Sequence, residues 1–334
     1  MISVRRAEIK DIPMIMQFLD EHWLKGYALA HNRKLFDWQF VRDGQVNIWI
    51  GIDDLEHKMY AMEGAILYNT SLNPDFSTCL WIALKCDTPM LGLRLSEKLL
   101  KNLPHRESFA VGLNEKSAGI QRRLHKKVPK MDHYYRLNDL DKYSIAKVTN
   151  KTIPQVEDTG YTLTEMLDPC SIEYYVTPKM LLEYSPYKDY KYIEWRYFDH
   201  PMFKYNMWGI KDDEGLPCGI LVTRTETANG AKSAKIVDFY GNNSTFGKIG
   251  FSINKILIEN CYEYIDIYSY GLCISMLEKA GFVECTLDSD NIITNFFQPY
   301  LCQNSDIYII EPRIKNARLF RGDADQDKPR YLPV

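Results

Sequence analysis

Ile193-Glu194-Trp195-Arg196-Tyr197 repeats in kind the stretch Phe36-Asp37-Trp38-Gln39-Phe40, and 195 − 38 is 157. Two further pairs follow at nearly the same spacing. Gly51-Ile52-Asp53-Asp54 answers to Gly209-Ile210-Lys211-Asp212-Asp213 (209 − 51 = 158), and Gly64-Ala65-Ile66-Leu67 to Gly219-Ile220-Leu221-Val222 (219 − 64 = 155). Three similar offsets, met in the same order, predict one domain plan used twice. The 334 residues leave room for two domains of about 150 residues each.

The elements around these landmarks recur as well. In the first half, Ile2 to Ala7 alternates as a strand, and Asp11-Ile12-Pro13 opens a helix. A short helix over Leu35 to Val41 precedes strands at Asn47–Asp53, Tyr60–Tyr68 and Cys79–Cys86. A helix through Leu103, a strand at Ser108–Leu113 and a helix from Glu115 follow, and His133 to Leu137 closes the half. Residues 141–172, with Pro154, Gly160 and Pro169, read as a connecting segment. The second half then offers helices at Pro178–Glu183 and Tyr192–Phe198, and strands at Tyr205–Lys211, Gly219–Arg224 and Ala234–Tyr240. A long helix over Lys248–Tyr264, a strand at Ile265–Tyr268 and a helix at Ile274–Lys279 complete it. The expected architecture is α+β, with domains at 1–140 and 173–334, each a mixed, mostly antiparallel sheet flanked by helices.

Composition narrows the function. Lys and Arg number 41 against 44 Asp and Glu, a net charge of −3, and no basic stripe stands out, which argues against nucleic acid as a partner. With 46% hydrophobic and 13% aromatic residues the chain builds a core and is not disordered. The N-terminus has no apolar run behind Arg5-Arg6, and no apolar stretch approaches the roughly 20 residues of a bilayer span. Eight cysteines without a C-x-x-C pair and seven histidines without ligand spacing predict reduced thiols and no metal. A cytoplasmic protein away from membranes is expected.

The first half resembles a GCN5-related N-acetyltransferase domain in Val4-Arg5-Arg6-Ala7 through Asp11-Ile12-Pro13, at the helix start around Gly92, and in Val111-Gly112-Leu113-Asn114-Glu115-Lys116-Ser117-Ala118. The second half is similar in Met276-Leu277-Glu278-Lys279-Ala280-Gly281-Phe282. Together they look like tandem domains of that superfamily, distantly similar to Fem-type aminoacyl transferases. The resemblance implies that acetyl-CoA or another acyl-CoA serves as co-substrate. Its pantetheine would lie in a wedge between two parting strands, and its pyrophosphate on a helix N-terminus. Leu84, Leu91, Gly92, Leu93, Arg94 and Asn114 fall at the implied donor site, although Pro89-Met90-Leu91-Gly92-Leu93-Arg94 keeps one glycine of the family's Q/R-x-x-G-x-G/A pattern. Gly247-Lys248-Ile249-Gly250 is a comparable candidate in the second half. The family's tyrosine acid falls at Arg122 and Leu277, so its role must pass elsewhere.

Acyl transfer to an amine needs a proton acceptor and donors for an oxyanion. Asp238 interrupts the apolar run Lys235-Ile236-Val237-Asp238-Phe239-Tyr240 and, aligned with Ala83, is the first candidate. Glu63 beside Gly64 is its first-half counterpart, and His31 could relay a proton. Candidate acceptor contacts are His22, Trp195, Tyr240, Asp323 and Asp325. The last two belong to a polar tail, Arg321-Gly322-Asp323-Ala324-Asp325-Gln326-Asp327-Lys328, expected either in solvent or folded over the cleft. Eight of the 23 tyrosines fall between Tyr174 and Tyr205. Such faces suit sugar rings as well as cores, so an amino sugar or nucleotide sugar of a bacterial surface polysaccharide is the expected acceptor. An aminoacyl-tRNA-dependent transferase, with Arg122-Arg123-Leu124-His125-Lys126-Lys127 as its basic patch, and a non-catalytic binding protein are the alternatives.

Overall fold

Apolar residues at helical and strand spacing pair the first elements off as expected. A computed structural model describes residues 2–124, 126–325 and 327–332. The chain divides into two units, one of Met1–Val111, His200–Phe203 and Asp325–Val334, the other of Gly112–Asp199 and Lys204–Ala324.

In the first unit the elements are β1 (Ile2–Arg6), α1 (Ile12–His22), α2 (Arg33–Phe40), β2 (Ile48–Asp53), β3 (Lys58–Leu67), β4 (Phe76–Ala83), α3 (Leu91–Asn102) and β5 (Ser108–Leu113). Pro13 sits in the first turn of α1, where its missing N–H costs nothing, and Ile12, Ile15, Phe18 and Leu19 form the buried stripe. Asn32 caps α2 by accepting from Leu35 N at 3.0 Å. Leu91, Leu95 and Leu99 of α3 pack on Trp49, Ala61 and Ala65 of the sheet. Strands β1 to β4 lie side by side and antiparallel, and β5 joins β4 in parallel.

The second unit contains α4 (Glu115–Arg123), β6 (Asp132–Leu137), β7 (Thr162–Met166), α5 (Pro178–Leu182), β8 (Asn206–Lys211), β9 (Pro217–Ala228), β10 (Ala231–Gly241), α6 (Asn243–Lys248), α7 (Gly250–Glu259), β11 (Tyr262–Tyr270), α8 (Ile274–Lys279) and β12 (Leu319–Phe320). The strand order is β6-β11-β10-β9-β8-β7, with β10 and β11 parallel and the other neighbours antiparallel. Of the repeat pairs, Gly51 and Gly209 hold equivalent places on β2 and β8, whereas Gly64 and Gly219 share corresponding strands, β3 and β9, out of register. Gly64 lies opposite Cys79, and the residue in that place on β9 is Thr223, opposite Ile236.

Three elements differ from the sequence reading. Strand β6, expected to close the first half, pairs with β11 of the second unit from Tyr264↔Leu137 to Ser269↔Asp132. Its faces explain this, since Tyr134 and Tyr135 enter two different cores of that unit. The expected connecting segment contains β7, an edge strand on β8. The long helix expected over 248–264 breaks at Ile249 and stops at Glu259, and Cys261 at φ 55° turns the chain into β11. Gly250 opens α7 because a Cβ there would stand 2.7 Å from the Ala280 backbone.

Both sheets open at the same place. Strand β4 pairs with β5 at Phe76 and Ser77, then carries an extra residue between Cys79 and Ile82, with Leu80 at φ 51°. Strand β10 pairs with β11 as far as Ile236, and Val237 is its extra residue opposite Val222/Thr223. The spacing is again 237 − 80 = 157. This register matches Asp238 to Trp81, correcting the alignment of Asp238 with Ala83.

In the second unit the opening is filled. Strand β12 pairs with the end of β11 through Ser269↔Phe320 and Tyr270↔Leu319. Arg318 donates to Gly241 O at 2.6 Å, and Arg196 donates to Gly322 O at 3.0 Å. A Cβ on Gly322 would meet Tyr197 Oη at 2.5 Å and Val237 O at 2.6 Å. Gly322→Ala is therefore expected to cost about 1–3 kcal/mol in chemical denaturation. Gly119, inside α4 with nothing within 4 Å of a Cβ, is the control. There Ala should stabilise by about 0.5–1 kcal/mol. Equal responses at the two positions would contradict the tight seat of Gly322.

Candidate active site

In the first unit, alternation along β3 and the extra residue of β4 decide which groups meet. Glu63 lies opposite Trp49, on the face that packs against α3. It is buried, and its Oε2 accepts from Ser96 Oγ of α3 at 2.6 Å, while Oε1 has no partner among the described residues. Burial pushes this carboxyl up to about 7. Trp81, beyond the extra residue, faces the same way and donates from Nε1 to Gly92 O at 3.0 Å. The turn into α3 has Met90 in the left-handed region, and its carbonyl accepts from Leu93 N and Arg94 N. Arg94 is exposed, and its guanidinium has no partner among the described residues. Leu84 N is taken by Tyr60 O at 2.8 Å.

The opposite face carries a different set. Gly64 leaves no room for a Cβ between Phe40 of α2, at 2.7 Å, and the Cys79 sulfur, at 3.1 Å. Asp325 lies beside Cys79, accepts from Gln39 Nε2 at 2.7 Å and pairs with Lys328. Lys328 stands 5.6 Å from the centre of the buried Tyr27 ring. Arg330 and Tyr331 lie along the connection between α1 and α2, which includes a helical turn at Ala28–His31: Ala28 N donates to Arg330 O at 3.0 Å and Tyr27 pairs with Tyr331. His31 contacts Asp20 Oδ1 at 2.7 Å and His22 meets Phe18 edge-on, both exposed at this connection. The structure thus separates Glu63 from Asp325, one on each face of the sheet.

In the second unit, Asp238, Asp323 and Tyr240 come together around a residue the sequence reading missed. Lys188 Nζ lies 2.8 Å from Asp238 Oδ2 and 2.8 Å from Asp323 Oδ1. Tyr197 and Tyr240 also donate to Asp238 Oδ2, at 2.6 and 2.7 Å, and Phe239 N donates to Oδ1 at 2.9 Å. With four donors on it, Asp238 holds Lys188 and the tyrosines in place. Burial pushes Asp323 up to about 6 and both tyrosines well above their usual value. Asp323 caps its own turn through Phe320 N at 2.8 Å. Trp195 is half-buried next to Tyr192. Asn114 caps α4 through Ser117 N at 2.8 Å. Of the residues in place of the family tyrosine, Arg122 bonds to Glu115 and lies over Tyr308, and Leu277 is core. His125 of the basic patch lies outside the described residues. A lysine between Tyr187 and Asp189 reads as surface, and nothing local in the sequence marks Lys188 as buried.

Among the described residues no helix is long and apolar enough to cross a membrane, and no group of three or more His, Cys, Asp or Glu could hold a metal. No protein-family profile and no curated protein matches the sequence. Solved structures match in fold. A conserved protein of unknown function from Enterococcus faecalis, described as a probable N-acyltransferase, shares 10% identity at a TM-score of 0.57, over 92% of this chain and 72% of that one. A GCN5-related N-acetyltransferase from Anabaena variabilis shares 10% identity at 0.58 over the same shares. Saccharomyces cerevisiae N-myristoyltransferase with bound myristoyl-CoA and inhibitors shares 9% at 0.50, over 94% and 81%. The chain has the fold of GCN5-related N-acetyltransferases, and the likeness spans nearly all of it.

Glu63 makes a measurable prediction. Its carboxyl titrates near 4.5 ordinarily and near 7 in the fold. Between these values the folded chain holds a proton the unfolded chain has lost, so stability falls as pH rises through the window. Glu63→Gln removes that loss. Across pH 4 to 8 in urea, the variant should gain on wild type by up to about 3 kcal/mol by the upper end. A constant difference between the two proteins across this range would refute the shifted carboxyl.

Proposed function

We propose that the protein is an acyl-CoA-dependent N-acyltransferase that takes its acyl donor in the first unit. The observation that carries this reading is the contrast between the two openings. Among the described residues β4 has no strand partner on its β5 side beyond Ser77, whereas residues 318–323 occupy the opening beside β10. A pantetheine arm pairs with strand edges, so the open copy is the one that can take it.

The rest follows from the chemistry. Backbone freed from the ladder at Leu80 supplies N–H donors for the carbonyl oxygen as it gains charge. The turn from Met90 into Leu91, Gly92 and Leu93, with Arg94 exposed beside it, suits the pyrophosphate. The acceptor amine attacks the thioester carbon, the C–S bond breaks, and the CoA thiolate leaves. Asp325, on the face opposite α3 and beside Cys79, is the carboxylate we assign to receive the amine proton, directly or through water. Glu63, on the α3 face, is left as a buried acid near the donor. An amino sugar or nucleotide sugar is the acceptor to test first, because aromatic faces with polar tips suit sugar rings and the chain is rich in tyrosine.

Calorimetry with acetyl-CoA and with longer acyl-CoAs tests donor binding, and hydrogen exchange locates it. Protection is expected on β4 and the first turn of α3. Asp325→Asn should lower kcat by about 10²–10⁴-fold with little change in donor affinity. No binding at millimolar donor, or protection on β10 and α6 instead, would overturn the assignment.

A further inference from the structure

Beneath the turn that opens α3, Glu63, Ser96 and Trp81 converge on one carbonyl. Glu63 falls where β3 faces the extra residue of β4, since Met62 pairs with Ile82 and Gly64 with Cys79. Its Oε2 lies 2.6 Å from Ser96 Oγ, which in turn lies 3.2 Å from Gly92 O. Trp81 Nε1 donates to the same carbonyl at 3.0 Å. Gly92 is the second residue of α3, so these contacts tie the first turn of the helix to β3 and to β4.

A hydroxyl has one proton to donate, and Ser96 has two acceptors within reach. When Glu63 is ionised its charged oxygen takes that proton, and of the two side chains only Trp81 still donates to Gly92 O. When Glu63 is protonated its proton belongs on Oε2, because Oε1 has no partner among the described residues. Glu63 then donates to Ser96, and Ser96 donates to Gly92 O, four residues back along the helix. The state of Glu63 thus decides whether this turn is held by one side chain or by two. Leu93 N and Arg94 N are spent on Met90 O, which leaves the N–H groups of Leu91 and Gly92 for an anion beside the carbonyl so held.

No charged side chain intervenes. Trp49 faces Glu63 from β2, and Arg6 of β1 lies 5.3 Å from the centre of that ring with its donors on Val46 O, Gln45 and Asn47. Arg94, Glu97 and Lys98 of α3 are exposed. The Cys79 thiol of β4, on the opposite face, is kept neutral by burial. Burial also sets the Glu63 carboxyl at about 7, so both of its states are reached around neutral pH.

Given the donor site proposed above, on which this rests, we propose that Glu63 is a positioning residue for the phosphates of the acyl-CoA. Acting through Ser96 and Gly92 O, its protonated form holds the first turn of α3 in the arrangement that binds them more tightly.

The test is calorimetry with free CoA on the full-length chain at about pH 6 and about pH 8.5, on either side of the Glu63 transition. Glu63→Gln cannot ionise, and its amide can still donate to Ser96, so it should match the acid form of wild type throughout. The ratio of wild type to Glu63→Gln cancels the titration of the CoA phosphates themselves. Wild-type affinity should fall by about three- to tenfold against that variant as pH rises, the worth of one hydrogen bond. Glu63→Leu is neutral but cannot donate, and it should bind about three- to tenfold more weakly than Glu63→Gln at both pH values. Thermal melts show whether it folds. If it does not, Ser96→Ala breaks the same chain at a half-buried position and should show the same loss. A ratio that does not change with pH, or a folded Glu63→Leu or Ser96→Ala as tight as Glu63→Gln, would overturn this role and leave the donor site intact. No binding of free CoA at millimolar concentration would overturn the donor site and this role together.

Discussion

One extra residue in a strand sets the character of each unit. A parallel pair bonded along its whole length is a closed surface with no wedge to fill. At Leu80 and at Val237 the fourth strand of each sheet takes in one residue more than its antiparallel neighbour can pair. Such an insertion bends the strand and leaves backbone groups outside the ladder. It also reverses the alternation beyond it. Cys79, before the extra residue in β4, stands on the α2 face, and Trp81, after it, meets Gly92 of α3. The same reversal in β10 turns Asp238 to where Lys188 and Tyr197 reach it.

The two copies then diverge in what satisfies the opening. In the second unit the chain supplies its own β12, and this brings charge into a dry place. Isolated buried ions are costly, so Lys188, Asp238 and Asp323 have to come as a set with the tyrosine hydroxyls that complete their bonds. Removing one partner would strand the others, which makes the arrangement specific even where it adds little net stability. A second set follows the same rule across neighbouring strands. Lys235 is paired in register with Asp266 and bonds to it at 3.0 Å, and His133 contacts the same carboxylate at 3.1 Å. His133 is stacked on Tyr268, and all three ionisable groups are buried.

The legible part of the molecule was whatever left a period or an interruption in the chain. The offset of 158 between Gly51 and Gly209 marked real counterparts because strand lengths survive when side chains change. The offset of 155, in contrast, joined Gly64 and Gly219 on corresponding strands out of register. Asp238 was visible as a charge inside an apolar run. Lys188 was not, since burial of a lysine is decided by carboxylates 50 and 135 residues away, at Asp238 and Asp323. The polar tail misled for the same reason. Asp323 and Asp325 look alike in sequence, but the first is buried in the second unit and the second joins Gln39 and Lys328 in the first. Strand β6 was placed with the wrong sheet because a strand's partner is a tertiary fact, and its sequence reports two buried faces without saying against what.

Why a duplicated fold should keep one opening and fill the other follows from the cost of an unfilled one. A gap between parting strands exposes backbone N–H and C=O groups on both edges, and these must find water, a ligand or another strand. A ligand that comes and goes during turnover satisfies them part of the time, which one unit can bear if function depends on it. A second opening with no function would carry the same cost without relief. Filling it with a segment the chain already possesses satisfies those edges permanently. Gly322, where nothing larger than hydrogen fits against Val237 O, shows how closely that segment is seated.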